Sequence, residues 1–150
     1  MKQEMQIKIV NSSENELPEY ATIGSAGMDL RANFTEISSL TLMPMEQKII
    51  PTGLHVELPE GTFGMITPRS GLAAKNGISI TNSPGVIDSS YRGEIKVILI
   101  NLGDKSFDVH QGDRIAQLIL MKYETIEFES VEELSETDRG EGGFGSTDSK

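Results

Sequence analysis

Asp88 and Asp29 are the carboxylates whose surroundings suggest chemistry. Asp88 ends the run Gly85-Val86-Ile87 and is followed by Ser89, Ser90 and Tyr91. A carboxylate set among small residues can act as a general base toward water. Taken alone, it reads first as a turn residue, and Tyr91 alone reads as a packed aromatic. Asp29 lies in SAGMDLRA (25–32), between the apolar Met28 and Leu30 of a candidate strand. An inward charge in a strand needs a partner; Arg31, Arg114 or a metal-bound water could each supply it.

Two other segments could hold phosphate. Pro68-Arg69-Ser70-Gly71 leads into a short helix-favouring run. A helix start presents free N–H groups and a partial positive charge. Ser70 is either an N-cap alone or an N-cap that also touches phosphate, and by itself the cap reading wins. Arg69 is either a surface charge or a bidentate phosphate ligand. The second segment is RGEGGFGSTDSK (139–150). Its glycines at 140, 142 and 145 fit G-x-G-x-x-G, but that fingerprint needs a strand before it and a helix after it. An acidic stretch precedes it and five residues follow, so a Rossmann reading is rejected. What remains is a flexible run whose amides, Arg139, Ser146 and Thr147 can wrap a phosphate. Phe144 stands alone in it between Gly143 and Gly145, which a merely solvated tail does not explain.

Composition narrows the partners. The 150 residues fit one domain, long enough to bury a core. The hydrophobic fraction, 37%, is modest and suits a thin β-structure or a protomer that shares burial with its own copies. A formal net charge of -10 argues against nonspecific nucleic-acid binding. A polyanionic ligand would then be met by a few placed Arg and Lys residues or by a metal ion. There is no Cys, which removes disulfides and thiolate chemistry and fits a reducing cytoplasm. His55 and His110, the only histidines, are too few for a His-based metal cluster and read as ordinary strand or turn residues. Met1 to Val10 lacks the apolar run of a signal peptide, and no stretch reaches the roughly 18 apolar residues of a membrane span.

The elements that must position these groups are strands. Short β-rich runs separated by turn residues predict an all-β sandwich or barrel. The predicted strands are Ile7–Val10, Met28–Ala32, Gln47–Pro51, Leu54–Leu58, Gly64–Thr67, Ile78–Thr81, Ile95–Asn101, Phe107–Val109, Ile115–Met121 and Ile126–Glu129. One or two helical turns are expected over Gly71–Asn76, with Gly77 as the left-handed stop. Ile95–Ile100 and Ile115–Leu120 are apolar on both faces for much of their length, which implies a second layer or a subunit neighbour. No repeat and no second domain is visible. The body is expected over 1–138, with 139–150 as a mobile arm.

Taken together and in order, five segments resemble the trimeric dUTPase family: SAGMDLRA (25–32), PRSGLAAKNGI (68–78), GVIDSSYRGEIKVILIN (85–101), GDRIAQLIL (112–120) and RGEGGFGST (139–147). Each is weakly specific; five in order across nearly the whole chain are strongly so. The resemblance implies a homotrimeric, dUTPase-like β-sandwich or jelly-roll barrel. It implies cleavage of dUTP to dUMP and pyrophosphate with Mg²⁺, which keeps uracil out of DNA and supplies dUMP for thymidylate synthesis. By the same resemblance, Asp88 activates the attacking water and touches the 3'-hydroxyl, and Tyr91 packs beneath the deoxyribose. Asn82 and backbone groups from Val86, Ile87 and Asp88 sit on a β-hairpin that reads uracil, with Lys96 on its second arm. Arg69, Ser70, Gly71 and Gln117 contact phosphate, and Asp29 orients Mg²⁺-bound water. Arg139, Phe144, Gly145, Ser146 and Thr147 form a closing arm with Phe144 stacked on uracil.

The chemistry agrees with these roles. Mg²⁺ binds through phosphates and few carboxylates, so no protein cage is needed. Attack on the α-phosphorus needs a positioned water, a base and charge neutralisation on pyrophosphate. Departures are slight: Asp148 follows Ser146-Thr147 where the family often has Gly, and Arg92 occupies a variable position. Rival readings are a dCTP deaminase of the same architecture and a non-enzymatic nucleotide-binding β-trimer. GVIDSSYRG and GGFGST argue against the first, and the complete motif set argues against the second. No nucleic-acid or membrane partner is expected, and the cytoplasm is the expected location.

Overall fold

The computed structural model describes residues 5–145. Eleven strands and one helix make up their regular structure: β1 (Lys8–Asn11), β2 (Met28–Arg31), β3 (Ser39–Leu42), β4 (Gln47–Pro51), β5 (Leu54–Glu57), β6 (Thr62–Thr67), α1 (Ser70–Asn76), β7 (Ile78–Ile80), β8 (Gly85–Asp88), β9 (Lys96–Asn101), β10 (Phe107–His110) and β11 (Arg114–Lys122). All pairings are antiparallel. A four-stranded sheet runs β2-β11-β6-β8 and a three-stranded one β4-β9-β7, with the pairs β1-β5 and β10-β3 completing an all-β, jelly-roll-like body. His55 and His110 fall on β5 and β10, as ordinary strand residues.

Side-chain alternation explains the core. On β6, Thr62, Gly64 and Ile66 turn inward while Phe63, Met65 and Thr67 are half-buried; on β9, Val97, Leu99 and Asn101 turn inward. Ile66, Val97 and Leu99 meet Leu30, Leu42, Ile50, Val109 and Ile115 in a single cluster. Fully burying an aliphatic side chain of this size contributes roughly 1.5–3 kcal/mol. Asn101, fully buried, is tolerated because its amide donates to Leu42 O (2.9 Å) and Lys105 O (2.8 Å) and its Oδ1 accepts from Gly103 N (2.9 Å).

Several sequence expectations change. The helix begins at Ser70, with Arg69 at the cap position in an extended conformation and no side-chain cap bond. Ser70 is therefore not the N-cap: Arg69 is held there by the ion pair its side chain makes to Asp29, and the Ser70 hydroxyl is not spent on capping. Gly77 supplies the expected stop at φ 68°. β3 is not among the strands predicted from the residues, and β8 is expected only through the hairpin that the family resemblance implies. Ile126–Glu129 is not a strand, since no strand of the same chain lies beside it. In one chain β9 buries one face, with Ile98 and Ile100 on the other half-buried; on β11 the consecutive Ile115 and Ala116 are both buried and Leu118, Ile119 and Leu120 are half-buried.

Candidate active site

Val86, Ile87, Asp88, Tyr91, Glu94 and Lys96 line a cleft of about 320 Å³, the lower end of the small-molecule range. β8 is the edge of its sheet, paired only with β6. One row of its backbone N–H and C=O groups therefore carries no ladder and is open to a ligand. Asp88 ends this strand, exposed, and its carboxylate takes no ion pair among the described residues. The chain then turns, Tyr91 N donating to Asp88 O at 3.0 Å, and Tyr91 lies beside the cleft with its hydroxyl donating to Glu94 O (2.8 Å). Asn82 lies in the turn between β7 and β8. The expected hairpin is absent: β8 pairs with β6 and β9 with β4 and β7, so Lys96 reaches the cleft from another sheet. Sequence reasoning missed Glu94, whose carboxylate accepts from Gly53 N (2.9 Å).

The second group is a cationic cradle. Asp29 on β2, Gln117 on β11 and Thr67 on β6 are opposite one another in register, so their side chains share one face. Arg69 Nε donates to Asp29 Oδ1 at 2.9 Å, and Arg114 Nη1 stands 3.6 Å from Asp29 Oδ2. Of the partners expected for Asp29, Arg114 is present, whereas Arg31 turns away to Gly112 O (2.8 Å); Arg69 is the nearer one. Gln117 Nε2 donates to Pro68 O (3.2 Å), tying the segment before α1 to β11. Two guanidinium groups against one carboxylate leave a net positive charge with donors to spare, suited to an anion. Ser70 and Gly71 open α1 beside it, both exposed.

Among the described residues no three acidic or histidine side chains converge as a metal cage, and both Asp29 oxygens face guanidinium groups. That donor set makes no cage for Mg²⁺ and fits one carried on a ligand's phosphates.

Cleft and cradle do not meet in one chain. Asp88 is opposite Phe63 and Gln117 is opposite Thr67 on the same strand β6. Four residues of strand separate them by about 13 Å along the axis, with about 10 Å more across the sheet. Among the described residues the arm bonds to neither: Arg139 Nε donates to Gly142 O (2.9 Å), and Phe144 is fully exposed. Gly145 is solvent-exposed next to it, while Ser146 and Thr147 lie outside the described residues.

An antiparallel β body with a backbone-lined cleft and a separate paired-arginine cradle belongs to the class of β proteins suited to a small, anionic, nucleotide-sized ligand. The family model for dUTPase matches residues 13–148. The deoxyuridine 5'-triphosphate nucleotidohydrolase of Finegoldia magna is 55% identical over 143 residues, covering 95% of this chain and 99% of the relative. That of Cytophaga hutchinsonii is 53% identical, covering 94% and 90%. The solved structure of the Staphylococcus bacteriophage 80alpha dUTPase with dUPNHPP is similar at a TM-score of 0.84 and 29% identity, covering 95% of this chain and 98% of that one. A variant dUTPase from phage phi11 of S. aureus, described with a structural Mg(II) ion, is similar at 0.76 and 25%, covering 86% and 98%. The chain belongs to the dUTPase family.

Proposed function

We propose that the protein hydrolyses dUTP to dUMP and pyrophosphate at sites shared between copies of the chain in a homotrimer. The observation that carries this reading is the separation of the cleft from the cradle. A triphosphate cannot put its α-phosphorus near Asp88 and its terminal phosphates in the Arg69–Arg114 cradle of the same chain across such a distance. A neighbouring copy closes it. The apolar side chains left without cover, Ile126, Phe128 and Leu134 beyond β11 and the half-buried Ile98 and Ile100, support a partner of the same sequence.

In this reading Asp88 takes a proton from a water held over the α-phosphorus. The water oxygen bonds to phosphorus, the bond to the bridging oxygen of the leaving pyrophosphate breaks, and the proton leaves with solvent. Tyr91 lies beneath the deoxyribose and leaves no room for a 2'-hydroxyl. The open edge of β8 at Val86 and Ile87, with Asn82 and Lys96 beside it, reads the uracil edge and rejects the swapped donor–acceptor pattern of cytosine. Arg69, Ser70, Gly71 and Gln117, with Arg114, hold the phosphates. Mg²⁺, when bound on those phosphates, neutralises charge on the leaving group, and Asp29 orients its waters. Arg139, Phe144 and Gly145, with Ser146 and Thr147, close over the nucleotide as an arm. The cytoplasm fits as the place of work, in keeping with a chain free of Cys.

The test is pyrophosphate release from dUTP, dCTP and UTP. Release from dUTP alone is expected. Asp88→Asn keeps the shape but cannot take a proton, so turnover should fall by roughly 10²–10⁴-fold. Co-refolding Asp88→Asn chains with Arg69→Ala chains should restore part of the activity, because some sites then combine an intact cleft with an intact cradle. No recovery from mixed trimers would sink the shared site, and near-normal turnover of Asp88→Asn would sink the base.

A further inference from the structure

Tyr91 can occupy its observed position only because residue 93 has no side chain. A Cβ at Gly93 would stand 2.5 Å from Tyr91 Cζ and 2.8 Å from Cε2, and would overlap the hydroxyl. Ordinary contact between carbons lies near 3.5–4.0 Å. Such an overlap cannot be absorbed by a small adjustment of a rigid ring, so the ring would have to swing. Tyr91 is 43% exposed, and it stands on the irregular stretch between β8 and β9. Packing alone therefore does not fix its direction.

What fixes it is the hydrogen bond from its hydroxyl to Glu94 O, and that acceptor is itself pinned. The Glu94 carboxylate accepts from Gly53 N (2.9 Å). At the next residue, Ile95 N donates to Leu54 O (2.8 Å) and Ile95 O accepts from Thr52 Oγ1 (2.6 Å). On the other side, His55 Nδ1 lies 3.0 Å from Arg92 O. The bend from β4 into β5 thus grips the loop on both sides of Gly93. Gly93 leaves the space, and Glu94 supplies a fixed acceptor at its far end.

We propose that Gly93 and Glu94 are positioning residues for sugar selection: they hold the Tyr91 ring in the plane against which a deoxyribose rests. This rests on the proposed function, in which Tyr91 is the floor of the sugar subsite. Neither residue needs to touch substrate. With the ring displaced, a 2'-hydroxyl is no longer excluded, and the ribonucleotide becomes a better substrate relative to dUTP.

The experiment compares kcat/KM for dUTP and UTP in the wild type, Tyr91→Ala, Gly93→Ala, the Tyr91→Ala/Gly93→Ala double variant, Glu94→Ala and Glu94→Gln. Gly93→Ala should lower the dUTP:UTP preference by about tenfold or more, on the scale of the roughly 10²-fold effects seen for 1 Å misplacements. The loss should fall on KM for dUTP more than on kcat. In the double variant, Gly93→Ala should add nothing to Tyr91→Ala, because its effect runs through the ring. Glu94→Ala should relax the preference less. Glu94→Gln should restore it, since an amide oxygen can still accept from Gly53 N; this pair keeps the test alive if Gly93→Ala fails to fold. If Tyr91→Ala relaxes the preference while Gly93→Ala and Glu94→Ala keep it, the positioning role is overturned and the reading of Tyr91 stands. If Tyr91→Ala itself keeps the preference, both fall together. Equal loss in Glu94→Gln and Glu94→Ala would also overturn the role of the Gly53 contact.

Discussion

The cradle stands on three adjacent strands, and the cleft stands on an edge strand and a loop. Asp29, Gln117 and Thr67 are locked opposite one another by the ladders of β2, β11 and β6, and the Asp29 ion pairs join β2 to the segment before α1 and to the start of β11. Tyr91, Gly93 and Glu94 follow the last residue of β8 and owe their positions to one bond within the loop, Tyr91 hydroxyl to Glu94 O, and to a few bonds from the β4–β5 bend and β5. In the proposed function the difference follows from what each recognises. Phosphate is a compact charge, met by side chains fixed on a rigid sheet. A base edge is a pattern of donors and acceptors, met by the unpaired backbone of an edge strand. The cradle is therefore coupled to the stability of the fold, and the cleft is largely uncoupled from it.

Asp29→Ala is the sharpest way to break this contrast. It leaves the Arg69 and Arg114 guanidinium groups facing each other without their carboxylate. With about a third of each Asp29 and Arg69 side chain exposed, the stability loss should be about 1–2 kcal/mol, a drop in Tm of several degrees for a chain of this size. Activity should fall by roughly 10²-fold, because the arginines lose their aim. Tyr91→Ala, by contrast, should leave Tm almost unchanged. A thermal melt of both variants decides the matter: equal Tm values would erase the contrast.

The sequence carried the local part of this arrangement and lost the long-range part. Leu72-Ala73-Ala74 followed by Gly77 announced α1 and its stop, since helix propensity and a left-handed cap act within a few residues. Asp88 and Tyr91 taken alone read as a turn residue and a packed aromatic; their proposed roles came from the resemblance of the five ordered segments to the dUTPase family, and the structure places both beside one cleft. Of the two partners of Asp29, Arg114 was among those the sequence offered; Arg69 was not, because it lies 40 positions away and nothing local selects it over Arg31. Glu94 was overlooked because a lone acid next to a turn looks like a solvated charge; besides the nearby Lys96 ammonium at 3.8 Å, the Gly53 amide, 41 positions earlier, gives it a task. At Ile126–Glu129 the alternation of Ile126 and Phe128 looks like a strand, but alternation specifies a face and not a partner, and this chain offers none.

Removing the arm sharpens the same contrast by a smaller step. A chain ending at Asp138 should keep its Tm and its oligomeric state, because among the described residues Arg139 bonds within the arm and Phe144 is fully exposed. Its turnover should fall by about tenfold or more, since closure excludes water and completes the phosphate clamp. Light scattering and a dUTP assay on one preparation check both halves. Loss of assembly would make the arm structural, and intact turnover would make it inert.

Phe144→Ala should give the mildest loss. Phe144 is fully exposed in the free chain, with φ 52°, so its replacement costs the resting protein nothing in packing. What it forfeits is the stack on the base, worth roughly 0.5–1.5 kcal/mol beyond area for an aromatic pair, or about 2–12-fold in kcat/KM. That gain matters because Gly140, Gly142, Gly143 and Gly145 make the arm expensive to order, at roughly 1–2 kcal/mol of backbone entropy per residue. In the proposed function Arg139, Ser146 and Thr147 offset the rest through the phosphates. The effect should therefore appear with dUTP and shrink toward nothing in the chain that ends at Asp138, where the stack is already gone. Phe144→Leu separates area from stacking: it keeps much of the apolar surface and loses the ring. If Phe144→Leu matches the wild type, burial of apolar area holds the arm down; if it matches Phe144→Ala, the ring face does.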